Sequence, residues 1–284
     1  MRGGPGMVWV TVLAALTAVG CGTGENVVVE GTPPATPYGG PLHVPARASE
    51  ESGARAALAE SGAAGRALEC DGEIAAGGQG ETWSEGDGGD TPEEGLAAYF
   101  GMEQPGVPSA GYRVEREEAG RVLFSYDVDG RTKVAVVVAK DGADRPGWGP
   151  ETTAFCDPAE FPASWTDSHG YEIWTDRDGH RVPTSRVSSS AGEEHCDWQR
   201  AHFLELNRDE ERRLYARDPD GVLEPGMLTA AYDGDVRLPR DAHDTGYRFE
   251  DRRLWLTDDP STAYVRTSDG VEAWRLVRPD MGCR

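Results

Sequence analysis

The segment RVLFSYDVDGRTKVAVVVAK, residues 121–140, determines the architecture that we predict for the first half of the chain. Two runs rich in β-branched and aromatic residues, 121–128 and 133–140, flank Asp129 and Gly130, a residue pair typical of a two-residue hairpin turn. The first run has one face that is more apolar than the other, whereas the second contains the unbroken apolar sequence VAVVV. This pattern predicts a β-hairpin whose second strand is covered on both faces.

A short helix is predicted on the N-terminal side of this hairpin, in DTPEEGLAAYFG, residues 90–101. Thr91 and Glu94 have the spacing of a capping box, and Pro92 suits the first helical position. The apolar residues of the second half of the segment fall on one helical face. We therefore expect an amphipathic helix that packs on the sheet.

Other strand-like runs lie on both sides of a proline-containing boundary near residues 158–166. Residues 194–206 fit neither the helical nor the strand period cleanly. We expect the α+β class, with two small units that are each mainly antiparallel sheet with a short helix, after a disordered N-terminal tether. The strand-like runs are residues 111–117, 152–158, 171–175, 246–250, 253–257, 263–267 and 271–277.

Composition predicts the domain organisation. Residues 1–20 are expected to form a signal peptide, and residues 21–66 a lipidated cysteine followed by a disordered linker, because Pro, Gly, Ala, Ser and Thr dominate that segment. A first α+β domain is predicted over residues 67–160, and a second over 161–284. The echo between GYRVE and GYRFE suggests a duplication, but the spacing from each preceding cysteine differs, so two separate domains are favoured.

The first residues have the pattern of an export signal. Arg2 is followed by an apolar run from Met7 to Val19, about 13 residues long, whereas a spanning helix needs about 20. The sequence AVGC, residues 18–21, closes this region. The pattern also allows a signal peptide that is cleaved elsewhere, or an uncleaved anchor without charge over residues 3–24.

AVGC resembles the lipobox of bacterial lipoproteins, and the resemblance implies that Cys21 is lipidated and becomes the first residue of the mature chain. The implied partner is the lipid bilayer, contacted through acyl chains, and the implied location is the outer face of the cell membrane. Across its whole length the chain resembles uncharacterised lipoproteins of high-GC actinobacteria, through its preference for Arg over Lys, its spacer and its EHCDWQ sequence. That resemblance implies no activity.

The number of cysteines agrees with this interpretation. The chain has five cysteines, and an odd thiol in an exported protein needs an explanation. If Cys21 carries lipid, the other four can form two disulfides outside the cytoplasm. Three connectivities are possible, and we favour Cys70 with Cys156 and Cys196 with Cys283.

Charge and motifs exclude several classes of function. The formal net charge of −22 disfavours nucleic acid as a partner. Three D-x-D-G sequences, at 127–130, 176–179 and 218–221, do not continue as calcium-binding loops and are interpreted as turns. Zinc-ligand spacings and the G-x-S-x-G and H-E-x-x-H motifs do not occur in the sequence. We therefore expect no catalytic, cofactor-binding or metal-binding residues.

The predicted function is a binding or interaction module whose protein or glycan ligand is unknown. Most tryptophans fall in strand-like runs and are expected in the core, with Trp148, in a Gly/Pro loop, as the exposed exception. The alternative is a cell-envelope hydrolase, with His180 or His243 joined by an aspartate and a serine of residues 186–192. A structural or stress-related component of the envelope, without a ligand, is a third possibility.

Overall fold

A computed structural model of the protein describes residues 26–31, 36–45, 53–103, 106–142, 144–208 and 211–279. It contains two antiparallel sheets, of five and seven strands, and a few short helices. The predicted α+β class, with mainly antiparallel sheet, is confirmed. The predicted signal peptide and Cys21 lie outside the described residues.

The first sheet is built around the hairpin predicted at residues 121–140. Its strands are β1 (Ile74–Gln79), β2 (Arg113–Glu118), β3 (Arg121–Val128), β4 (Arg131–Gly142) and β5 (Arg145–Cys156). The strand order is β1-β5-β4-β3-β2, with antiparallel pairing throughout. Asp129 and Gly130 join β3 to β4 with φ angles of 52° and 74°, as the Asp-Gly hairpin signal predicts.

Helices cover both faces of this sheet. Helix α1 (Ala54–Glu60) and helix α2 (Gly62–Ala67) lie on one face, and helix α3 (Pro92–Met102) packs against the other. Along β4 the valines at 134, 136 and 138 join the cluster of α3, whereas Ala135 and Val137 join the cluster of α2. Every residue of the VAVVV sequence is therefore buried, which explains why it lacks alternation.

Part of the segment predicted as a linker is folded, which corrects the expectation for those residues. Ala63, Ala64 and Ala67 of α2 are buried against β4 and β5, and Leu42 is 1% exposed in the same cluster. The prediction failed here because it required a large apolar face. Small alanine side chains let the helix backbone approach the sheet closely and bury area through contact rather than through bulk.

Helix α3 begins as predicted. The Thr91 hydroxyl accepts a hydrogen bond from the Glu94 backbone N–H at 3.2 Å, and the Glu94 carboxylate accepts one from the Asp90 N–H at 2.7 Å. Pro92 is the first helical residue. The helix continues to Met102, one residue past the expected end at Gly101.

The second sheet follows helix α4 (Ala163–Ser168). Its strands are β6 (Val187–Ala191), β7 (His202–Arg208), β8 (Glu211–Arg217), β9 (His243–Phe249), β10 (Arg252–Leu256), β11 (Thr262–Arg266) and β12 (Val271–Leu276). Their order is β6-β7-β8-β12-β11-β10-β9. The ambiguous segment 194–206 forms one 3₁₀ turn and then enters β7.

The second sheet is strongly curved. Strands β7 and β10 are four positions apart, so their backbones would be roughly 19 Å apart in a flat sheet. The side chains nevertheless meet, because Nη1 of Arg252 in β10 lies 3.3 Å from Nε2 of His202 in β7. Residues 171–175, predicted as a strand, form isolated bridges to both edge strands, pairing Glu172 with Ser189 and Thr175 with Arg248. This segment therefore spans the gap between the two edges.

The space enclosed by the curved sheet is filled with large side chains. Trp174, from the bridging segment, is fully buried and packs with Leu204, Tyr215, Leu254 and Val265. In the described part of the chain, no helix is long and apolar enough to cross a membrane.

Candidate functional site

One predicted disulfide is present. Cys70, just before β1, is bonded to Cys156 at the end of β5, with 5.4 Å between their Cα atoms. Cys156 is fully buried. Cys196 is also disulfide-bonded. Its predicted partner, Cys283, lies outside the described residues, so that pairing stays a prediction.

The D-x-D-G sequences form turns, as predicted. Asp176 accepts hydrogen bonds from the backbone N–H groups of Asp178 and His180, and Asp218 accepts from those of Val222 and Leu223. These are the local side-chain to backbone bonds that favour aspartate in turns. Possible ligand atoms of the three residues at 176, 178 and 180 lie within 4.8 Å of one another on the exposed surface. The carboxylate at 176 is already engaged in the turn.

The triad considered from the sequence is not assembled. His180 lies 3.3 Å from Asp176, and His243 is exposed. Within the described ranges, neither histidine forms a hydrogen bond with a serine of residues 186–192. The hydroxyl of Ser189 instead donates to Glu172.

The carboxylate of Glu172 contacts three side chains from strands that are distant in sequence, and we call this group the Glu172 cluster. Oε2 of Glu172 accepts hydrogen bonds from the Ser189 hydroxyl and from Arg252 Nη1 at 3.0 Å, and it lies 2.9 Å from Nε2 of His202. The indole of Trp174 donates to Ser189 at 2.8 Å. The cluster joins the bridging segment 171–175 to β6, β7 and β10.

The electrostatics of the cluster favour an ionised carboxylate. Burial alone raises the pKa of Glu172, but the hydrogen bonds from His202 and Ser189 and the charge of Arg252 lower it below its ordinary value. The side chain of Glu172 is only 18% exposed, so little water competes with these partners. The cluster therefore stabilises the curvature of the second sheet while Glu172 is charged.

A polar cavity of about 340 Å³ lies beside His202 and Arg252. A second ion pair lines it, in which Arg217 Nε lies 3.1 Å from Glu272 Oε2, and the same oxygen accepts from the Trp274 indole at 2.7 Å. Every charged group named here already has a partner of opposite charge or a hydrogen-bond donor. These ion pairs thus present balanced charges to the cavity, and the hydroxyl of Ser189 is held by Glu172 rather than directed at His202, as a nucleophile would require.

A larger cavity, of about 510 Å³, lies at one end of the first sheet, and we call it the Trp83 cavity. Its walls come from the end of β1 and the segment after it, from the start of β3, from the β4–β5 hairpin and from the segment before α1. The side chains used below are those of His43, Gln79, Trp83, Arg121, Glu151 and Thr152.

Trp83 is held firmly in this wall. Its indole Nε1 donates to the Pro146 carbonyl at 3.0 Å, and the guanidinium of Arg145 lies 5.8 Å from the ring centroid. The ring occupies the space that a side chain at Gly149 would fill, since a Cβ there would overlap it. Trp83 is half-buried, so part of the ring faces solvent.

The prediction that tryptophans pack in the core holds for several of them. Trp174, Trp198 and Trp274 are all at most 8% exposed. The exception predicted for Trp148 is wrong, because this half-buried residue lies in β5 and packs against the cluster of α3, where Gly95 lets the helix approach the Trp148 backbone closely.

Sequence reasoning missed the two arrangements of greatest chemical interest. Glu172 carried no local signal, because its partners lie 17, 30 and 80 residues away. Trp83 lies in a polar, Gly-rich segment, and this local composition was the only signal in the sequence that could have indicated a partly exposed tryptophan. No family model, curated protein or solved structure matches the chain.

Proposed function

We propose that the protein is a membrane-tethered, extracytoplasmic lipoprotein that acts as a binding module. The observation that carries the extracytoplasmic part is the Cys70–Cys156 disulfide, because structural disulfides persist in oxidising compartments and are rare in the cytosol. The AVGC sequence supplies the proposed anchor at Cys21. Two acyl chains or more would hold it stably, since each buried methylene contributes about 0.8 kcal/mol.

The binding part of the proposal is supported by the nature of the cavities. Each of the two cavities described above has an aromatic side chain beside paired polar side chains, and such groups can hold and orient a ligand. In neither cavity do the described residues place a nucleophile next to a general base.

A cell-envelope hydrolase remains the second candidate, and one observation favours it. His202 and Glu172 lie 2.9 Å apart beside a cavity, which is the geometry of an oriented base. Such an enzyme would have to use water as its nucleophile. Activity against envelope substrates that is lost in His202→Gln, in a folded protein, would favour this candidate over the binding module.

The anchor is tested by fractionation of cells that express Cys21→Ala. We expect this variant to leave the membrane fraction, whereas Thr23→Ala, which keeps the cysteine two residues earlier, stays with the membrane. Retention of Cys21→Ala in the membrane at the level of the natural chain would contradict the proposed lipid anchor.

A further inference from the structure

The Trp83 cavity offers one apolar wall and one wall of hydrogen-bonding groups. The indole of Trp83 forms the apolar wall, and the contact with Gly149 and the bond to Pro146 keep it in one orientation. An aromatic ring fixed in this way presents a flat apolar surface at low cost in conformational entropy.

The polar wall contains a planar ion pair. Arg121 donates through Nε and Nη2 to the two oxygens of Glu151, both at 2.7 Å, and both side chains are half-buried. Nδ1 of His43 lies 3.6 Å from the same carboxylate. A bidentate pair of this kind is rigid and keeps further donor and acceptor positions at its edges.

Two polar groups in the same cavity lack partners. Oγ1 of Thr152 is buried without a hydrogen bond, although the residue is only 4% exposed. The amide of Gln79 is exposed, and it forms no hydrogen bond with any residue that the structure describes. The Thr152 hydroxyl itself has almost no accessible surface, so of these two groups the Gln79 amide is the one open to a ligand.

The charges of the cavity limit the class of ligand. Glu151 neutralises Arg121, whereas Arg145 keeps its positive charge, although its Nε and Nη2 already donate to the carbonyls of Glu81 and Gly80. An anion would therefore find few free donors, and the net charge of −22 repels polyanions. A wholly apolar ligand would leave Gln79 and the outer edges of the Arg121–Glu151 pair without partners. The ligand that fits is uncharged, rich in hydroxyl groups and apolar on one face.

We propose that the Trp83 cavity binds a neutral saccharide. One face of a pyranose ring, which exposes C–H groups, packs against the indole of Trp83, and ring hydroxyls bond to Gln79 and to the Arg121–Glu151 pair. The proposal rests on the binding activity proposed above and is independent of the anchor at Cys21.

Isothermal titration calorimetry of the full chain in detergent tests the proposal with chitotetraose, maltotetraose and mannotetraose. We expect saturable binding of at least one of them, in the range of about 10 μM to 1 mM. Trp83→Leu should weaken that binding about tenfold or more, and Gln79→Ala by about threefold to tenfold. Gln199→Ala is the matched control, since Gln199 is exposed on the other half of the molecule.

Several results would overturn the proposal. They are the absence of binding by all three oligosaccharides up to about 10 mM, unchanged binding by both cavity variants, and a preference for a heparin fragment. Circular dichroism would reveal whether Trp83→Leu fails to fold. In that case the proposal is tested by the binding of Gln79→Ala and of Gly149→Ala, since the added Cβ of the latter should displace the indole of Trp83.

The Cys21→Ala chain separates this proposal from the proposed anchor. It should bind the oligosaccharide as the natural chain does while leaving the membrane. Loss of binding together with loss of the anchor, in folded protein, would contradict the assignment of the site to the first sheet.

Discussion

Five neighbouring strands of the second sheet repeat the strand order of the first sheet, but the two sheets bury their faces in different ways. In the first, β1 pairs with the last strand of the meander β2–β5, and in the second, β8 pairs with the last strand of the meander β9–β12. The first sheet lies between helices on both faces. The second, which also has β6 and β7, curves around its own core and is bridged by residues 171–175.

This difference shows that the order of the strands does not by itself determine which interactions stabilise a sheet. The first sheet uses small and β-branched apolar residues on both sides, and a disulfide joins the segment before β1 to the end of the neighbouring strand β5. The second uses large aromatic residues inside and the charged Glu172 cluster between strands that are far apart in the sheet. Loss of the Cys70–Cys156 bond should therefore weaken the first sheet, and protonation of Glu172 should weaken the second.

Removal of the disulfide gives the largest expected effect. Replacing both Cys70 and Cys156 by alanine should cost the first sheet about 4–5 kcal/mol in the chain-entropy model, since the bond closes a loop with a sequence separation of 86 residues. Urea unfolding, followed by amide exchange in β3 and β4, measures the loss. Unchanged protection of these strands would show that the bond contributes nothing to the first sheet.

Matched core truncations test whether the two sheets unfold separately. Leu123 and Leu204 are both fully buried, one in each sheet, and replacement by alanine should cost about 2–5 kcal/mol in each case. We expect Leu123→Ala to weaken exchange protection in β3–β5 only, and Leu204→Ala in β7 and its neighbours only. Equal weakening of both sheets by either variant would mean that they unfold as one unit.

The charge of Glu172 should make the second sheet sensitive to acid. Its folded-state pKa lies below the ordinary value of 4.5, so its ionised form stabilises the fold above that pH, and this contribution is lost as the pH falls through the folded pKa. Glu172→Gln should cost about 1–3 kcal/mol at neutral pH.

Urea unfolding at several pH values measures that difference. The free energies of unfolding of the natural chain and of Glu172→Gln should converge as the pH falls below 4.5. The control variant is Glu205→Gln, in the neighbouring part of β7. A difference that is constant from neutral to acidic pH would contradict the role given to the Glu172 charge.

The smallest effect is expected at the start of α3. Thr91→Ala removes the acceptor of the Glu94 N–H bond and should cost about 1 kcal/mol. Thr91→Ser keeps the hydroxyl and should retain most of the stability. Thermal unfolding measures both variants, and equal melting temperatures for Thr91→Ala and the natural chain would show that the cap is dispensable.

Short-range signals were sufficient for part of the fold. The turn at Asp129 and Gly130, the cap at Thr91 and the burial of VAVVV follow from residues close in sequence. Strand β1, with the sequence IAAGGQ, was missed because it has a single β-branched residue and forms only by pairing with β5.

The candidate sites depended on contacts that a single sequence does not reveal. Glu172 and Arg252 are 80 residues apart and meet only because the second sheet curves. The Trp83 cavity combines residues from four separated segments, and the Trp83 ring can lie where it does only because Gly149 has no side chain. Neither arrangement has a spacing that a motif could record.

The proposal that the chain is exported and held at the membrane through lipid on Cys21 makes a prediction about the mass of the mature protein. Intact mass spectrometry of protein extracted from the membrane with detergent measures that mass. We predict a mature chain that begins at Cys21 and is heavier than its sequence by the mass of the attached lipid, less the hydrogens that the lipid replaces and those lost in two disulfides. An unmodified mass, or a chain that still carries residues 1–20, would contradict the account.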